Sequence, residues 1–180
     1  MPPLLQELTS QSMLETGGQN MTDEKRLDAV NETIGEVATE IAQAYAEYGD
    51  LTSMYLGQTS STLQLRLFRP LALETSLYMS FLLVDSNKSL AEQVLEDTEA
   101  YAVELGKQEH TFVNEGLLAY TKSSDKLTHF IERCQGVVAS DAVWLSTQRQ
   151  DTQPQISISD KGYVAIHKGA ERLEKLATLL

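Results

Sequence analysis

AVWLSTQRQDTQPQISISDKG, residues 142–162, is the stretch that decides whether this chain is wholly helical or carries a β element. Ala142 to Thr147 and Gln155 to Ser159 read as β-like runs, and the polar segment Gln148 to Pro154 between them is longer than a tight hairpin needs. The expectation is a small wing-like hairpin with a long tip. Beyond it, Ser159-Asp160 is suited to cap a helix. In that helix Tyr163, Ile166, Ala170, Leu173, Ala177 and Leu180 step by three and four, the period of a buried helical stripe.

Upstream, a short helix is expected around Phe112 to Tyr120, followed by the polar turn Thr121-Lys122-Ser123-Ser124. A second helix places Leu127, Phe130, Ile131 and Cys134 at i, i+3, i+4 and i+7 and is expected to end at Gln135-Gly136. Helix, turn, helix, Gly136-Val137-Val138, hairpin and Ile156-Ser157-Ile158-Ser159-Asp160-Lys161-Gly162 follow in that order. Residues 112–175 thereby resemble a winged helix-turn-helix of the multiple-antibiotic-resistance-regulator type. Such proteins leave the wing on a strand, a Thr or Ser, an acid and Lys-Gly, then start a helix. The chain departs from the pattern in having no glycine in the turn and a long separation between Gly136 and Gln148. The resemblance implies a dimeric regulator of double-stranded DNA. Lys122, Lys126, Arg133 and Arg149 would then contact phosphates, while Ser124, Thr128 and His129 could meet base edges.

The first half reads as long helices. Thr22 can cap a helix whose first turn holds Asp23 and Glu24, negative charge where the helix dipole favours it. Leu27, Val30, Ile34, Val37, Ile41, Ala44 and Tyr48 form a heptad seam that Gly49-Asp50 closes. Its aliphatic members stabilise the fold only when a second helix covers them, either in a homodimer or in an intramolecular bundle. The candidate oligomer interface is therefore Leu27, Val30, Ile34, Val37 and Ile41, with Tyr163, Ile166, Leu173 and Leu180 from the last helix. Thr62 to Phe68 (TLQLRLF) alternates Leu63, Leu65 and Leu67 with Gln64 and Arg66, the period of a half-buried strand, although a helix is also compatible. Pro70 suits the first turn of a helix over Leu71 to Val84. Ser89 and Glu92 have the spacing of a capping box opening a helix that stops at Gly106. The organisation expected is a loose tail or short docking helix over 1–20, an acidic helical region over 21–110 and a winged-helix-like region over 111–180.

Charge divides along the same line. The net charge is −12, and residues 1–100 carry 16 acids against 5 bases, whereas residues 101–180 carry 10 against 9. The acidic half repels phosphate, so any nucleic acid would have to meet the second half. Cys134 is the single cysteine and cannot form an internal disulfide; the acid-bearing start MPPLLQELTSQ lacks the basic end of a secretory leader, which fits a reducing cytoplasm. The most apolar run, Leu77 to Val84, is less than half of a membrane-spanning helix.

Markers of catalysis are missing. The sequence has no glycine-rich phosphate loop, nucleophile elbow or CxxC pair, and no His stands three residues after a Glu. Glu92, Glu96 and Glu99 share a helix face that reads as a solvated acidic stripe. Cys134 and His129, five apart on a helix, diverge, and the cysteine falls on the apolar stripe. His167-Lys168-Gly169 resembles the phosphorylatable site of phosphotransfer bundles, but its lysine follows the histidine immediately. Two functions remain open without enzyme activity or cofactor: a homodimeric winged-helix DNA regulator, or an acidic helical interaction module serving as adaptor, secretion partner or complex subunit. The fold expected for both is mainly α, long amphipathic helices with a C-terminal winged-helix-like β-hairpin.

Overall fold

A computed structural model of the chain describes residues 22–47, 60–149 and 160–180. Among the described residues there are six helices: α1 (Asp23–Glu47), α2 (Ser60–Leu83), α3 (Lys88–Leu105), α4 (Lys107–Lys122), α5 (Lys126–Arg149) and α6 (Asp160–Leu179). No described residue is in a strand.

The hairpin expectation is therefore corrected. Ala142 to Arg149 continue α5, which runs through Gly136 without a break, while Gln150 to Ser159 lie outside the described residues. Buried Phe130, Cys134, Val137 and Val138 carry the helical stripe across the glycine, and Asp141 extends it to an ion pair with Arg66 of α2 at 2.6 Å. A glycine in a helix costs about 1 kcal/mol relative to alanine, less than the burial of Val137 and Val138 returns. The intrinsic β preference of Val, Trp and Thr is weak and depends on context.

Thr62 to Phe68 is also helical, as part of α2. Leu63 and Leu67, four apart, are fully buried, whereas Leu65 between them is 78% exposed. A strand of period two would have turned all three to one side. Pro70 lies inside α2 rather than at its start, and the helix passes through it. The capping box moves by two residues: Asn87, not Ser89, caps α3, its Oδ1 accepting from the Leu90 amide at 3.1 Å. Gly106 ends α3 as expected, and with φ of +139° it turns the chain directly into α4. That backbone region is open essentially to glycine alone.

α2 is the central element, packed against each of the other five helices. Ser76 and Ser80 of α2 bond to Thr98 and Ala91 of α3, so these two run antiparallel. Arg66 with Asp141 and Glu74 with Arg133 set α5 antiparallel to α2. Tyr78 with Glu174 and Asn87 with Leu180 set α6 parallel to it. The heptad stripe of α1 faces inward: Val30, Val37 and Ile41 are fully buried in a core shared with α2 and α6. Each such side chain contributes roughly 1.5–3 kcal/mol. α1 and α6 approach closely because α6 offers glycines. A Cβ on Gly169 would lie 2.6 Å from Val37 Cγ1, and one on Gly162 2.5 Å from the Tyr45 ring.

Candidate functional site

The residues expected on a DNA-reading face do not form one cationic surface. Arg133 is turned inward: its Nε donates to Glu74 Oε2 at 2.6 Å, its Nη2 to the Phe112 carbonyl at 3.0 Å, and its guanidinium lies 4.5 Å from the Phe112 ring centroid. Lys126 donates to the Phe81 carbonyl in the last turn of α2 and sits over the Phe81 ring. His129 is half-buried, edge-on to Tyr120. Thr128 is exposed, with its hydroxyl donating to Asp125 Oδ2 at 2.7 Å. Lys122 and Ser124 are exposed at the α4–α5 junction, and Arg149 belongs to the last turn of α5, with its side chain outside the described part. Asp125 caps α5: the Thr128 hydroxyl and then the Thr128 amide hold its carboxyl below the usual carboxylate value.

The expected oligomer seam is likewise used within the chain. Val30, Ile34, Val37, Ile41, Ile166 and Leu173 are buried, and Leu27 and Leu180 pack half-buried against the core. Tyr163 is the exception, exposed beside His167 at 4.4 Å between ring centroids. The seams therefore hold the bundle together and are not an open surface of it.

At the centre is a polar cluster that the sequence reading missed. Glu74 is completely buried in α2. One oxygen accepts from Arg133 and the other from the Tyr120 hydroxyl at 2.5 Å. Burial pushes its carboxyl above the ordinary value, against the downward pull of Arg133 and Tyr120. The Tyr120 phenol is raised by burial and by the Glu74 charge. Cys134 is raised by burial first and by Glu74 second. Tyr78 stacks on Phe130 at 4.4 Å, donates to Glu174 of α6, and is raised by burial and that carboxylate. A signal for Glu74 was present: it occupies an apolar register with Leu67, Leu71 and Tyr78 at steps of four, three and four. A fully buried charge requires a partner, and an arginine on a facing helix is a fitting one. With Glu74 wholly buried between Tyr120 and Arg133, the cluster is a polar clamp joining α2, α4 and α5.

The surface offers a more open feature. A groove of about 420 Å³ runs between α1 and α6. Glu40, Gln43 and Ala44 line it from α1, and Lys161, Val164, Ala165 and Lys168 from α6. Val164, one of these lining residues, is 46% exposed. Arg172 joins the two helices nearby, donating to Glu36 at 2.5 Å and to Glu40 at 2.9 Å. Among the described residues no group of three or more His, Cys, Asp or Glu could hold a metal ion, and no helix is long and apolar enough to cross a membrane. No protein-family model, curated protein or solved structure matches the chain.

Proposed function

We propose that the chain is a non-enzymatic, acidic helical protein–protein interaction module, an adaptor, secretion partner or complex subunit, that does not bind nucleic acid. The observation that carries this reading is the placement of Arg133. The strongest phosphate-binding candidate of the second half is spent on Glu74, and Lys126 on a helix carbonyl, which disperses the remaining cations. Sequence-independent DNA affinity scales with the number of phosphates a surface neutralises, so a net charge of −12 with scattered cations disfavours it. Large apolar side chains left on the surface, among them Leu65, Phe68, Val103 and Leu118, support a protein-binding role instead.

The test is fluorescence anisotropy with mixed-sequence duplex DNA at low and moderate salt. No binding at either is expected. Salt-sensitive binding that Lys122→Ala weakens would overturn the reading and return the chain to the DNA regulators.

A further inference from the structure

We propose that α4 is a latched strap, which opens as one unit while α2, α3 and α5 stay packed and so uncovers an apolar face of α2 that the closed bundle hides.

α4 is held more thinly than its neighbours. Of its sixteen residues three are buried, Val113, Gly116 and Tyr120, and the glycine has no side chain to bury. α3, on the other side of Gly106, buries Leu90, Ala91, Val94, Thr98 and Ala102. What α4 lacks in buried area it makes up by close approach. A Cβ on Gly116 would lie 2.6 Å from Leu77 Cδ1 and 2.9 Å from Arg133 Nη2, so the glycine is what lets this helix come down onto α2 and α5. Tyr120 then lies against Tyr78 and Phe81, at 6.2 and 5.2 Å between ring centroids. In the open form Leu77, Tyr78 and Phe81 lose this cover.

The latch is local. Among the described residues two hydrogen bonds tie the flank of α4 to other helices, and both end on one ion pair. The Tyr120 hydroxyl donates to Glu74 Oε1 at 2.5 Å, and the Phe112 carbonyl accepts from Arg133 Nη2 at 3.0 Å. The bond between Glu74 and Arg133 does not need α4, nor do the Arg66–Asp141 pair and the stack of Tyr78 on Phe130 that hold α5 to α2. Opening therefore lets water reach the pair without breaking it, and an element with few buried apolar contacts opens at a lower cost than the whole bundle. The ends of α4 permit the motion. Gly106 passes the chain from α3 to α4 at φ +139° with no side-chain cap, and the turn at the other end is closed by an exposed hydrogen bond from the Asp125 amide to Ser123 Oγ at 3.0 Å.

Peptide-resolved hydrogen exchange of the full chain in rising, sub-denaturing urea tests this. Residues 107–122 should exchange faster than the buried middle of α2 and with a shallower urea dependence, because a local opening exposes less surface than unfolding does. Ile41→Val, in the core where α1 meets α6, should speed exchange in α2 about two- to tenfold through the loss of global stability and leave that of α4 unchanged. Tyr120→Phe removes the hydrogen bond to the carboxylate and should speed exchange in α4 about tenfold or more. Exchange of α4 and α2 at one rate with one urea slope, equal acceleration of both by Ile41→Val, or no response of α4 to Tyr120→Phe would overturn the proposal.

Discussion

Glu74 and Arg133, fifty-nine positions apart in the chain, meet at 2.6 Å between Oε2 and Nε, with the Glu74 side chain wholly inaccessible and the Arg133 side chain 16% exposed. Removing one partner of a buried pair leaves the other charge without compensation, at about 3–5 kcal/mol. Glu74→Gln should therefore lower the free energy of unfolding by about 3 kcal/mol, read from urea melts. Replacing both partners with apolar residues of similar volume, Glu74→Leu with Arg133→Met, should recover most of that loss. If the double variant were no more stable than the single one, the clamp would owe its strength to the Tyr120 and Phe112 contacts rather than to the pair.

Gly136 and Gly169 both lie inside helices, yet alanine should act oppositely at the two. Nothing lies within 4 Å of a Cβ at Gly136, so Gly136→Ala should stabilise by about 0.5–1 kcal/mol through helix propensity alone. At Gly169 the new methyl would meet Val37 Cγ1 at 2.6 Å, so Gly169→Ala should destabilise by about 1–3 kcal/mol. Adding Val37→Ala should relieve part of that cost. The first substitution also checks the correction in α5: a loss of stability at Gly136 would mean that the helix does not pass through it.

The leucines of TLQLRLF separate helix from strand in the same way. Leu67→Ala should cost about 2–5 kcal/mol as a core truncation, whereas Leu65→Ser, at a position 78% exposed, should change stability by less than about 0.5 kcal/mol. Comparable losses at both would restore the strand.

What the sequence made legible follows from how strongly each signal is local. The stripe of α1, the stop at Gly106 and the stripe of α6 depend on spacing and backbone freedom within one element, and all three appear in the fold. The errors fell where tertiary packing overrides a short pattern. Alternating leucines over seven residues fit both periods, and only the cover given by neighbouring helices selects Leu63 and Leu67 over Leu65. Gly136 and Pro70 were read as boundaries, but a helix held on its buried side tolerates both. Arg133 was placed on an exposed face by the winged-helix resemblance; its partner stands fifty-nine positions earlier, with α3 and α4 between them. The same reasoning shows why the α1–α6 groove was not visible: Lys161 was read only within Ser159-Asp160-Lys161-Gly162 and Lys168 only beside His167, and the residues that face them come from α1.

Cys134 should behave as a core atom. Burial holds its thiol well above the usual value and the Glu74 carboxylate adds to this, so little thiolate forms near neutral pH. A chromogenic disulfide reagent should leave it unmodified in native buffer and titrate one thiol in denaturant. Glu74→Gln, which loosens the clamp, should speed native-state modification through more frequent opening. Rapid labelling of the native protein would place the thiol at the surface and contradict the packing of α5.

Asp125 gives the acid limb of stability a definite sign. In the folded chain the Thr128 hydroxyl and amide hold its carboxyl below the usual 3.8, so the folded state binds its proton less readily than the unfolded chain does. The stabilisation is then present above the unfolded value and lost as pH falls through the lower folded one. Asp125→Ala should lower the melting temperature by a constant amount from neutral pH down to the carboxylate range, and the gap to the parent should close as the pH drops further. Thermal melts of both proteins across that range read this directly. A gap that stayed constant into acid would mean that the cap works by hydrogen-bond geometry in either protonation state; a gap that widened would reverse the sign and remove Asp125 as the charged cap of α5.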